Sequence, residues 1–265
     1  MTQIAITRAV SASLGQCELT HQDRMSIDLD LARKQHAEYE ACLERLECKL
    51  LRLPELPNLP DAVFVEDTAI VLDEVAVITR PGAASRRPEI ESIATALKPF
   101  RTLLHISAPG TLDGGDVLVM GKDVYVGLSS RSNEHAIEQM RTLLPPCGYS
   151  VHGVEVKGCL HLKSAVTAVS ASTVLVNPSW IDVRAFEHYE IIEIHPEETF
   201  AANGLLIGEA VIYPVAFPRT AERLSKRGIR IEPVDLSELA KAEGAVTCCS
   251  LVFMHSSPAP YGSKE

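Results

Sequence analysis

Two cysteines stand side by side near the end of this 265-residue sequence, Cys248 and Cys249 in GAVTCCSLVF (244–253). Adjacent cysteines seldom bridge each other, so the pair reads as a reactive thiol with a neighbour, or as a redox or zinc-binding pair. A thiolate is the strongest nucleophile a side chain supplies, and with an ordinary pKa near ~8.5 a few per cent of a free cysteine is ionised at pH 7. A histidine in CLHLKS, His161, can give a proton to a leaving group and take one back from water. Acids complete the set: Asp61, Glu66 and Asp67 in DAVFVEDTA, and Asp113 and Asp116 in TLDGGDV. Burying Glu66 and Asp67 within an apolar run is costly without a partner, and a cationic ligand is the natural one. Thiol, imidazole and carboxylates together suit nucleophilic attack on a small cation.

Such residues, scattered along the chain, need a fold that gathers them. Four segments, 65–80, 114–129, 163–178 and 202–217, share one plan: a polar or small residue, an apolar β-run, a short polar turn and a second apolar run. Their starting points, Asp67, Asp116, Ser164 and Asn203, recur roughly every 40 to 50 residues, within the range of repeat architectures. Helix-spaced segments follow in RRPEIESIATALKPF, NEHAIEQMRTLL and TAERLSKRG, and shrink to VRAFEH in the third unit. A short strand then closes each unit, so the module is strand, strand, helix, strand.

A fifth hairpin is split across the termini. VTCCSLVFM supplies its first strand and QIAITRAVS its second, with the helix SIDLDLARKQHAEYEACLERL and the strand CKLLRLP completing the unit. Five ββαβ modules joined in this way form a closed α/β ring without a free sheet edge at the seam. The polar starts of the first strands then meet near a common axis. On strand 246–253, Cys248 and Cys249 would point to opposite faces, so both cannot reach one metal.

The blocks DAVFVEDTA (61–69), ITRPGAASRR (78–87), TLDGGDV (111–117), GLSSRSN (127–133), CLHLKS (159–164) and TCCS (247–250) occur in an order that resembles the dimethylarginine dimethylaminohydrolases. These belong to the guanidino-modifying (pentein) superfamily, so the resemblance implies a five-bladed α/β propeller. It also implies hydrolysis of Nω-methylated L-arginine to L-citrulline and dimethylamine or methylamine through a covalent thiouronium. By position, Cys248 matches the nucleophile, His161 the general acid/base and Asp113 its acidic partner. Asp61, Glu66 and Asp67 match substrate-binding acids, and Arg86 and Arg131 the arginines around the amino-acid end. Leu19 falls in the lid-like segment SLGQCELTHQD, and Ala242 matches a position whose backbone faces the substrate. Some relatives carry Glu where this chain has Asp113.

Composition is compatible with that reading. A net charge of −10 and a pI of about 5.4 argue against a nucleic-acid surface and suit a cationic small-molecule partner such as methylated arginine. No apolar run reaches the ~18 residues of a membrane span, and MTQIAITRAV lacks a signal-type core, so no membrane partner and a cytoplasmic location are expected. Seven scattered cysteines (17, 42, 48, 147, 159, 248 and 249) without CxxC spacing suggest neither a disulfide framework nor a zinc site. No cofactor and no metal are expected, and a homodimer is compatible with the sequence. One catalytic domain spans 1–265, with a Pro/Ser-rich flexible tail from about 255. Competing readings are an arginine deiminase, another guanidino hydrolase or amidinotransferase, or a non-catalytic zinc or redox thiol protein.

Overall fold

A computed structural model describes residues 1–255; the expected tail beyond His255 lies outside them. The described residues form five three-stranded sheets. In the first module, Ala69–Val71 pairs antiparallel with Val75–Ile78, and the helix Ile90–Leu97 returns the chain so that Thr102–His105 adds in parallel. The second repeats this with Val117–Met120, Asp123–Leu128, the helix Glu134–Leu143 and Ser150–Glu155. The third comprises Val166–Ala168, Thr173–Val176 and Glu190–Glu193, its helix reduced to one 3-10 turn, Val183–Phe186. The fourth has Leu205–Ile207, Ala210–Pro214, the helix Pro218–Lys226 and Arg230–Val234.

The seam closes as the sequence pattern suggests. Thr2–Arg8 lies between Leu251–His255 and Lys49–Leu53, antiparallel to the former (Ile4 opposite Phe253) and parallel to the latter (Ile6 opposite Leu51). Between them runs the helix Leu29–Arg45, capped by the Asp28 carboxylate accepting the N–H groups of Asp30 and Leu31. Each module thus spends its backbone polar groups locally and offers an apolar face to each neighbour.

Five apolar clusters fill the contacts between modules. One, for example, packs Ile4, Ile6, Leu251 and Phe253 of the closing module against Val65, Ile78, Ile93 and Leu97 of the first. Because the core is divided into these contacts, a central axis is left open. Residues from the first strand of all five modules, including Ile70, Leu118, Ala168, Leu205 and Val252, line one cavity of about 360 Å3 along it.

Candidate active site

A tight turn precedes the first strand in several modules and sits at the other end of the axis. Val65–Thr68 and Gly114–Asp116 are 3-10 turns, Leu162–Ala165 is one helical turn, and residues 246–249 form a turn before Leu251–His255. This corrects the expectation that Glu66, Asp67 and the cysteine pair lie within strands. Local hydrogen bonds explain the difference: the Thr68 hydroxyl donates to the Val65 carbonyl at 2.6 Å, and the Cys248 N–H to the Ala245 carbonyl at 3.2 Å. Such local bonds compete with sheet pairing where the chain must turn over the axis.

The turns are tied to one another around the ring. Asp67 accepts the Gly115 N–H at 2.9 Å, Asp116 accepts the Leu162 N–H at 2.9 Å, and Asn203 accepts the Thr247 N–H at 3.2 Å. Each side chain reaches into the next module. The Glu66 N–H donates to the Cys248 carbonyl at 3.1 Å, joining the last turn to the first. Close approach explains the double glycine: a Cβ on Gly115 would lie 2.6 Å from His161 Nδ1 and 2.9 Å from Asp67 Oδ1.

A second cavity, of about 20 Å3, opens among these turns. Its wall carries Asp61, Asp67, Arg86, Arg131, His161, Ala242 and Cys248 of the expected residues, with Glu18, Phe64, Leu160, Glu243 and Gly244. Asp113 lies behind His161, Leu19 packs on the apolar cluster beside the cavity, and Glu66 faces the large cavity instead.

His161 is gripped by acids. Its Nε2 lies 3.1 Å from Asp113 Oδ2, and its Nδ1 lies 4.0 Å from Asp67 Oδ1. Burial alone would lower its pKa, but Asp67, Asp113 and Asp116 overcome that and raise it to about 9. The ring is therefore cationic at neutral pH. Asp113 is itself oriented by the Gly82 N–H at 2.8 Å.

Burial likewise works against the Asp67 anion, yet His161 and Arg86 draw its pKa down to about 2. Asp67, Asp113 and His161 bring ligand-type atoms within 4.8 Å of one another, close enough to share a cation. As they stand, they satisfy each other as ion pairs.

The two cysteines occupy different environments. Cys248 faces the small cavity, and burial, then Glu66 and Asp67, raise its pKa. Burial and the two acids thus favour the neutral thiol. Cys249 is fully buried in an apolar cluster, where its Sγ–H donates to the Ala245 carbonyl at 3.6 Å. Beneath the turn, the Tyr39 hydroxyl donates to the Val246 carbonyl at 2.9 Å.

The two arginines also differ. Arg86 donates to Asp67 at 2.5 Å and to Glu89 at 2.9 Å, and to the carbonyls of Asp61 and Phe64 at 3.3 and 3.1 Å. Its fork is largely committed within the protein. Arg131 reaches the Thr20 hydroxyl at 2.9 Å and keeps most of its donors for the cavity. Glu66 binds Lys163 Nζ at 2.6 Å and the Thr247 hydroxyl at 2.8 Å, so its carboxylate is also engaged.

Sequence reasoning did not single out Thr247, which links Glu66 to the residue beside Cys248, nor Glu18 and Glu243. Thr247 carried a signal, since it sits within TCCS. Glu243, in AEGAV, carried none.

Comparison with known proteins agrees with this geometry. The family described as N,N dimethylarginine dimethylhydrolase, eukaryotic, matches residues 14–254. The chain is 38% identical over 249 residues to the N(G),N(G)-dimethylarginine dimethylaminohydrolase of Streptomyces coelicolor, covering 93% of this chain and 95% of that one. It is 37% identical over 228 residues to the Pseudomonas aeruginosa protein of the same name, covering 85% and 90%. A solved structure of the Pseudomonas aeruginosa protein, a cysteine-to-serine mutant complexed with citrulline, matches with a TM-score of 0.89 at 35% identity over 96% of this chain and 100% of the other. The N-terminal domain of a cyanobacterial arginine dihydrolase shares the fold, with a TM-score of 0.86 at 17% identity over 96% and 98% of the two chains. Spanning almost the whole ring at this level of identity, the chain belongs to the dimethylarginine dimethylaminohydrolase family.

Proposed function

We propose that this protein hydrolyses Nω-methylated L-arginine to L-citrulline and dimethylamine or methylamine, with Cys248 as nucleophile. The observation that carries the reading is a buried thiol, an acid-clamped imidazole and the carboxylates of Asp61 and Asp67 on one small enclosed site. Family membership supports it. Among the described residues, no helix is long and apolar enough to cross a membrane.

The guanidinium donates its N–H groups to Asp61 and Asp67, and its charge beside Cys248 favours release of the thiol proton to water. The thiolate attacks the guanidinium carbon, forming the S–C bond as one C–N π pair moves onto nitrogen. His161 then donates a proton to the methylated nitrogen, and the C–N bond breaks as the lone pair re-forms a C–N double bond. The amine leaves and a thiouronium remains on Cys248. Neutral His161 next takes a proton from water, hydroxide attacks the same carbon, and the C–S pair returns to sulfur. The added hydroxyl gives its proton to the departing thiolate, so that citrulline and the Cys248 thiol result. Asp113 holds His161 in orientation throughout.

Arg131 pairs with the substrate α-carboxylate, while Arg86 acts by holding Asp67. The backbone near Leu19 and Ala242 frames the amino-acid end. Glu66, expected among the substrate acids, acts through Thr247 on the Cys248 turn. The test is a citrulline assay of purified protein with dimethyl-, monomethyl- and unmodified arginine in parallel. Turnover of the methylated forms is expected, and turnover of arginine alone would overturn the substrate assignment.

A further inference from the structure

The chain from residue 17 to residue 28 has no regular secondary structure, and Glu18 within it lines the small cavity. Arg24 folds this segment on itself by donating to the carbonyls of Gly15 and Cys17, both at 2.6 Å. Ser85 donates to the Glu18 carboxylate at 2.5 Å, Lys241 to the Ser26 carbonyl at 3.2 Å, and Glu238 accepts the Asp28 N–H at 2.9 Å; three further residues, all on the cavity wall, also bind the segment to the rest of the molecule. Asp61 accepts the Glu18 N–H at 3.1 Å, Arg131 donates to the Thr20 hydroxyl, and Glu243 accepts three successive N–H groups. Those of Thr20, His21 and Gln22 reach its two oxygens at 3.0, 2.6 and 2.7 Å. Asp61 and Arg131 are also the groups a substrate would engage. Glu243 holds only the segment.

The backbone at Glu243 is unusual for its residue type. It follows the short helix Ser237–Ala240, where the Glu243 N–H donates to the Ala240 carbonyl and the Gly244 N–H to the Leu239 carbonyl, both at 3.1 Å. This is a helix C-terminal turn, in which the left-handed position usually goes to glycine. Here φ is +58° on a glutamate. A side chain in that conformation persists only where its surroundings over-determine it. Three N–H groups on one carboxylate, with Ala242 and Gly244 on the cavity wall at either side, do so.

A cavity of about 20 Å3 holds about one water, far less than an amino acid requires. Its walls, Glu18 of this segment among them, must therefore part to admit substrate and to release product. We propose that Glu243 is the positioning residue that latches residues 20–22 over the site, and that it sets apparent substrate affinity through the fraction of closed protein. This rests on the hydrolase reading for its catalytic consequence only, since the latch itself exists without substrate.

Glu243→Gly removes the latch and relieves the left-handed strain, which separates the latch from a merely structural role. Measured without ligand, hydrogen exchange of the amides of 20–22 is expected to rise at least about tenfold. KM for dimethylarginine should rise about five- to tenfold with kcat not reduced, because a smaller closed fraction weakens binding in proportion. The melting temperature should hold or increase. Glu243→Gln, which keeps one acceptor oxygen and loses the charge, should fall between. Unchanged exchange and KM in Glu243→Gly would overturn the proposal, as would a fall in kcat at unchanged KM. If wild-type protein turned over no methylated arginine, the hydrolase reading would fail, while the exchange measurement would still decide the latch.

Discussion

The two ends of the central axis share a turn but no lining residue, and they differ in kind. At the catalytic end, a cavity of about 20 Å3 is walled by charged side chains under a latched segment; at the other, one of about 360 Å3 is lined mainly by strand residues. Both meet in the Val65–Thr68 turn, where Asp67 faces the small cavity and its neighbour Glu66 the large one. Between the ends lies a hydrogen-bonded partition in which Glu66 binds Lys163 and Thr247, and Asn203 donates to Thr247 at 3.1 Å. The difference teaches that adjacent acids can be spent differently: Asp67 is paired on the small cavity, and Glu66 builds the partition behind it.

The largest effect should separate the cysteines. Cys248→Ser is expected to lower citrulline formation by at least about 10^4-fold, and Cys249→Ser to keep it within about threefold. Comparable loss in both would mean that the core-facing thiol takes part in the chemistry. Next come the neighbouring acids. Asp67→Asn should reduce kcat/KM by about 10^3-fold, because it removes a guanidinium partner and a clamp on His161. Glu66→Gln should act first on stability, by about 3 kcal/mol in urea unfolding, since Lys163 loses its partner in a largely buried pair. A drop in kcat/KM as deep as that of Asp67→Asn at unchanged stability would put Glu66 at the substrate and erase the contrast between the ends.

The pH dependence tests the clamp on His161. Its folded pKa of about 9 lies above the ordinary value of 6.5, so the cationic ring contributes stability fully present below pH 6.5 and lost as pH rises through 9. The separation is worth on the order of 3 kcal/mol. By the same protonation, kcat/KM should fall about tenfold per pH unit above 9, and Asp113→Asn should move that limb to lower pH. A limb unmoved by Asp113→Asn would assign the ionisation elsewhere. The smallest effect belongs to the far cavity: Val119→Thr, on its wall, should leave kcat/KM within about twofold in the same assay.

Much of this arrangement was legible beforehand because it is local or repeated. The alternation of apolar residues marked the hairpins, and QIAITRAVS with VTCCSLVFM marked the seam that pairs Ile4 with Phe253. The site blocks were legible as motifs. The turns were not: VEDTA and VTCCS read as strand starts because Val65, Thr68, Ala69, Val246 and Thr247 are apolar or β-branched and lead into apolar runs, and pattern alone does not register the hydroxyl-to-carbonyl and turn N–H bonds that bend them. The motif around Arg86 is silent about Asp67 and Glu89, to which its guanidinium is bound.

By itself, then, the sequence determined the five-fold module, the closure through the termini and the residue types that can attack a guanidinium, since periodicity and covalent order carry these. Only the tertiary structure decided which of two adjacent acids faces the small cavity, which arginine keeps free donors, and that Glu243 spans to residues 20–22. Those choices depend on directions of side chains brought together from distant modules. Burial then raises the cost of every unpaired charge, so the fold selects the pairs.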